Sequence, residues 1–192
     1  MAPYLYLALA LPLLFAPLWI WRDKGARLGG FDQRAWPRGR NRWINVADLA
    51  RGALGGWALA RGAALLPAIP GAPADWMPHV WVAVGAGAAL ALQAGTWTDE
   101  DHFHAPMAFL VGLCLVLVHP LVLALLLPLA IGSALAVRAW SACILSVGLG
   151  MAAIGLAVEQ QDWRRTLLLG VAINAPVLLT VMAGRHLGSA RK

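Results

Sequence analysis

Residues 106–137 read PMAFLVGLCLVLVHPLVLALLLPLAIGSALAV. Across these roughly 32 positions no side chain is charged at neutral pH apart from whatever charge His119 carries. A straight helix of that length would reach about 48 Å, well past the ~30 Å hydrocarbon core of a bilayer. His119-Pro120 falls near the middle. Proline has no amide to donate and pushes the preceding residue away from helical geometry. The stretch therefore reads as two short helices, 106–119 and 121–137, joined by a tight turn. The alternative is one kinked, strongly tilted helix.

Outward from this stretch the pattern repeats. The chain has 192 residues, 60% hydrophobic and 12% charged. A soluble domain carries about 25% charged residues. Further apolar spans are expected at 4–21, 46–69, 79–97, 140–158 and 166–184. The fold class is all-α: a polytopic transmembrane helix bundle with seven spans, or six if 106–137 is a single kinked helix. Residues 1–192 form one integral membrane domain. The first span has no basic residue ahead of it and no clear small-x-small cleavage site, so it reads as a retained helix. Lys is scarce while Arg, Ala, Gly and Leu abound, the composition of a GC-rich bacterial genome, and the expected location is a bacterial inner membrane.

Charge sets the expected orientation. Seven of the 15 basic residues lie between Arg22 and Arg42. Short cytoplasmic loops are enriched in Lys and Arg. Seven spans with the N-terminus outside place the 22–45 loop in the cytoplasm, together with Arg138, Arg185, Arg191 and Lys192. With six spans, Arg138 and the tail would move outward. The basic loop should lie on anionic lipid headgroups through Arg22, Lys24, Arg27, Arg34, Trp36, Arg38, Arg40, Arg42 and Trp43. Nucleic acid is a poor partner for a chain buried in lipid. Other membrane subunits fit better.

Packing is foreshadowed by small residues. Gly52 and Gly56, the Gly85–Gly95 run, and Gly148, Gly150 and Gly155 mark seams where helix backbones approach closely. Leu115 to Leu129 is bulky and suits lipid or a neighbouring subunit. Cys114 and Cys143 lie in apolar spans and read as small hydrophobes.

Polar residues within spans are expensive and mark candidate sites. Arg61, near the centre of the expected second span, either reaches the headgroups or faces a cavity with Gln93 and Asn174, as a substrate or pore site. Asn174-Ala-Pro176 marks a kink or hinge in the last span. The 98–105 loop holds Asp99, Asp101, His102 and His104. These can ligate a divalent metal, favour the following helix N-terminus, or pair with the basic loop. Histidines form two tiers, His79 and His119 against His102, His104 and His186, an arrangement compatible with haem ligation. No cofactor motif is otherwise indicated.

The expected function is a non-catalytic membrane subunit that contributes packing, assembly or stability to a larger complex. One alternative is a small transporter or channel-like protein using Arg61 and Asn174. The other is a metal-dependent membrane enzyme acting at Asp99–His104.

Overall fold

The computed structural model describes residues 3–16, 41–67, 70–71, 75–95, 102–137, 139–159, 162–184 and 186–188, with backbone alone at 41–44, 95, 102–104 and 186–188. Among the described residues, eight helices and one short strand pair are present in this order: α1 (Pro3–Phe15), α2 (Asn41–Ala64), α3 (Met77–Gly95), β1 (His102–His104), α4 (Met107–Leu117), α5 (Pro120–Val137), α6 (Trp140–Val158), α7 (Trp163–Ile173), α8 (Ala175–Met182) and β2 (His186–Gly188). α3, α5, α6 and the joined α7–α8 are long and apolar enough to cross a membrane. α1 and α4 are apolar but shorter.

Two boundaries differ from the sequence expectation. The helix found where the second span was expected, α2, begins at Asn41 and ends at Ala64, so it is shifted toward the N-terminus. Pro67 disfavours helical geometry at Leu66, and the last turn closes through Leu65 and Leu66 amides on Gly62 and Ala63 carbonyls. Arg61 therefore sits in the last turn of α2, exposed, rather than near mid-span. The first span was expected to run to Trp21, whereas α1 ends at Phe15; residues 17–21 lie outside the described residues.

Val118 adopts an extended backbone after α4, and Pro120 opens α5. Side-chain contacts fix the helix directions. Gly52 lies against Phe109, and Gly56 against Leu113 and Leu117, so α2 and α4 run parallel. Gly55 meets Leu14 while Gly62 meets Leu7, so α1 runs against α2. Gly150 meets Leu126, and Ser133 bonds the Ala142 carbonyl, so α5 runs against α6. Gly148 meets Gly170 while Gly155 meets Thr166, so α6 runs against α7. The chain thus reverses at Val118-His119.

Helix ends gather at two ends of the bundle. The hinge end holds His119-Pro120, the start of α3 and the α6–α7 turn. The strand end holds β1 and β2, which pair in parallel with His102 opposite His186 and His104 opposite Gly188. The last span breaks at Asn174, where Pro176 is at the start of α8. A proline there removes one amide from the helical ladder.

The small-residue seams are where helices touch. α2 and α4 approach so closely that a Cβ on Gly52 would meet the Phe109 carbonyl, and one on Gly112 the Leu49 carbonyl. The core between them contains Phe109, Leu113, Leu117 and Leu90, all nearly inaccessible. α5 packs chiefly on α6 and buries only Val122, Leu126, Ala130 and Ala134 along its length. These repeat every four residues, the spacing of one helix face.

Candidate functional site

Gln93, the Asp48–Arg51 pair and Arg165 meet the ends of short helices. A helix leaves its last four carbonyls without intrahelical donors. In lipid each unsatisfied group costs several kcal/mol. α1 has 13 residues and α4 has 11. At 1.5 Å per residue they reach only about 20 and 16 Å, short of the bilayer core.

Both ends are capped from neighbouring helices. Gln93 of α3 is buried and donates from Nε2 to the Leu14 carbonyl at 3.2 Å. Arg51 of α2 donates from Nη2 to the Ala16 carbonyl. Its Nη1 donates to Asp48 Oδ1 at 3.0 Å, within an ion pair whose side chains are 12% and 8% exposed. The guanidinium also lies 5.8 Å from the Phe109 ring centroid, at cation–π range. At the end of α4, Arg165 of α7 donates from Nη2 to the Leu117 carbonyl at 2.6 Å. Cations are favoured at helix C-termini by the macrodipole, so Arg suits both positions.

At the hinge end Arg165 belongs to a larger charged group. α6 ends at Val158, and the Asp162 amide donates to the Glu159 carbonyl at 3.0 Å, turning the chain into α7. Asp162 lies 3.5 Å from His79 Nε2 and 3.9 Å from Arg165 Nη1. His119 Nδ1 accepts the Leu121 amide at 3.3 Å. His119, Glu159, Asp162 and Arg165 line a cleft of about 610 Å³ between the end of α4, the start of α5 and the α6–α7 turn. Its apolar wall is Val116, Val118, Pro120 and Val158; its polar wall is His119, Glu159, Asp162 and Arg165.

Beside the cleft, Trp76 and Trp163 meet edge to face with centroids 5.9 Å apart. The Arg164 guanidinium lies 5.1 and 5.7 Å from their centroids and pairs with Asp75. This clamp ties the segment ahead of α3 to the start of α7.

The three residues expected to form a substrate or pore site have different neighbours. Arg61 is exposed on α2. Gln93 caps α1. Asn174 Nδ2 donates to the Gly170 carbonyl of its own helix at 3.1 Å, and its amide packs on Gly148 of α6. Gly87 of α3 packs on Ala172, close to Asn174 in the chain. Gln93 lies six residues further along α3, about 9 Å.

Of the expected metal ligands, Asp99 and Asp101 lie outside the described residues, and His102 and His104 are described as backbone only. Among the described residues no three His, Cys, Asp or Glu side chains are placed to hold a metal ion. Of the expected lipid-contact residues, Arg22, Lys24, Arg27, Arg34, Trp36, Arg38 and Arg40 lie outside the described residues, and Arg42 and Trp43 are backbone only in the first turn of α2. The two histidine tiers fall at the two ends of the bundle. Cys114 and Cys143 are free and buried.

The capping Arg51 and the Glu159–Arg165 group were not singled out from sequence. Asp48 and Arg51 did carry a signal, since opposite charges three apart share a helix face. Compared with protein-family models, curated proteins and solved structures, the chain matches none.

Proposed function

We propose that the chain is a seven-crossing protein of a bacterial inner membrane, with its N-terminus outside and C-terminus in the cytoplasm, and that it is a non-catalytic subunit of a larger membrane complex. The alternating helix directions, together with the basic residues that follow α1, α5 and α8 in the sequence, support the topology. One observation carries the functional reading. α5 packs chiefly on α6 and turns Leu121, Leu125, Leu127, Leu129, Ile131 and Leu135 outward, while Arg51, Gln93 and Arg165 are engaged in holding the bundle's own short helices. Polar chemistry serves the architecture, and the uncovered apolar face of α5 suits packing against another membrane helix.

The test is purification from native membranes in mild detergent. A stoichiometric membrane partner should accompany the unaltered chain. It should be lost when Leu121, Leu125 and Leu135 are replaced together by Ala, with the thermal unfolding of the chain itself retained. A chain that purifies alone, or a partner indifferent to the α5 face, contradicts the reading.

A further inference from the structure

α4 and α5 are consecutive, yet α4 packs on α2 and α5 on α6, and they touch each other little. They diverge from the reversal at Val118-His119. Each keeps exposed aliphatic side chains, Val111 and Leu115 on α4 and Leu121 and Leu125 on α5. The mixed cleft sits at the apex of this divergence.

Its polar wall has a definite chemistry. The Glu159 carboxylate has no hydrogen-bond or ion-pair partner among the described residues. Asp162 is half exposed and holds His79 and Arg165 only at 3.5 and 3.9 Å. Arg165 uses one Nη2 donor on Leu117 and has further N–H groups in its fork. Two carboxylates and one guanidinium therefore face a site whose other wall is hydrocarbon.

We propose that this cleft binds the headgroup of a zwitterionic phospholipid bearing a primary amine, of the phosphatidylethanolamine type. The ammonium donates to Glu159 and Asp162, and the phosphate accepts from Arg165. The acyl chains follow the divergence between α4 and α5. A choline headgroup has no N–H to donate, and the Phe, Tyr or Trp faces that hold quaternary ammonium groups are missing from the described lining. An anionic glycerol headgroup satisfies Arg165 but brings no cation to the two carboxylates. The proposal rests on the chain being embedded in a membrane, and not on its number of crossings or its role as a subunit.

Native mass spectrometry of the full chain tests this in mild detergent. The sample carries equimolar phosphatidylethanolamine, phosphatidylcholine and phosphatidylglycerol with identical acyl chains. Retention of the ethanolamine lipid should exceed that of choline lipid by about tenfold, the equivalent of one charge-assisted hydrogen bond. Stepwise N-methylation of the headgroup should lower retention with each N–H removed. Glu159→Gln should lower the ratio severalfold, Asp162 keeping the remainder, without moving the unfolding temperature, since it breaks no internal contact. Equal retention of ethanolamine and choline lipids by the unaltered chain overturns the proposal. So does preferred retention of phosphatidylglycerol, or a preference unchanged in Glu159→Gln. The methylation series uses the unaltered chain and decides the matter even if the variant misfolds.

Discussion

Arg51 shows how a single side chain joins three helices. It bonds the last described carbonyl after α1, pairs with Asp48 on α2, and lies over Phe109 of α4. Arg51→Ala leaves the nearly buried Asp48 without this countercharge and the Ala16 carbonyl without its donor. Removing one partner of a buried pair costs about 3–5 kcal/mol. Gln93→Leu removes the neutral hydrogen bond to Leu14 at similar volume, and the loss of that bond should cost about 1 kcal/mol. Denaturant titration of the detergent-solubilised protein should therefore rank Arg51→Ala well below Gln93→Leu in stability. Equal losses would mean that Arg51 acts as a surface charge. The capping role was not legible in the sequence. Gln93 and Arg51 are visible as polar residues in apolar surroundings, but their use depends on α1 stopping at Phe15, which hydropathy alone extends to Trp21.

At the scale of the element, glycine decides where helices approach. Gly112 and Gly132 are both helical, in α4 and α5, yet their surroundings differ. A Cβ at Gly112 would meet the Leu49 carbonyl and would lie 2.9 Å from the Ala53 amide nitrogen, whereas at Gly132 nothing lies within 4 Å. Gly112→Ala must push α2 and α4 apart, and overpacking of this kind costs about 1–3 kcal/mol. Gly132→Ala meets no obstacle and gains up to about 1 kcal/mol of helix propensity. Opposite shifts in thermal unfolding are the expected result, and a like-signed pair would refute the α2–α4 contact. The seams at Gly52, Gly56, Gly148 and Gly155 were legible because small residues recur at helical spacing. Gly112 was not singled out, although Ala108 four residues earlier gives it the same small-residue spacing, because the rest of α4 is bulky. The hinge-end cleft was hidden for a related reason. Residues 116–120 and 158–165 are some 40 positions apart, and each reads by itself as an ordinary helix end.

At the scale of the molecule, the reversal at Val118-His119 governs everything downstream. α1, α3, α5 and α7–α8 run from the hinge end to the strand end, and α2, α4 and α6 return. In the sequence, Arg22–Arg42, Arg138 and Arg185–Lys192 follow α1, α5 and α8, the helices that end at the strand end, while the hinge end mixes Arg61, Arg164 and Arg165 with Asp75, Glu159 and Asp162. The proposed topology turns the strand end toward the cytoplasm, as the positive-inside rule expects of that sequence pattern. Proline at 120 made the reversal readable from sequence; the parallel pairing of β1 with β2 was not, because two three-residue strands carry no periodicity to detect. His119→Cys should react with a membrane-impermeant maleimide added to intact cells, while Ala139→Cys should react only after permeabilisation. A reporter fused after Lys192 should give a cytoplasmic signal. Background labelling should be low, since Cys114 and Cys143 are buried. A single tilted helix over 106–137 makes the opposite demands. It holds residue 119 in mid-bilayer, beyond the reagent, and carries the C-terminal reporter to the outer face.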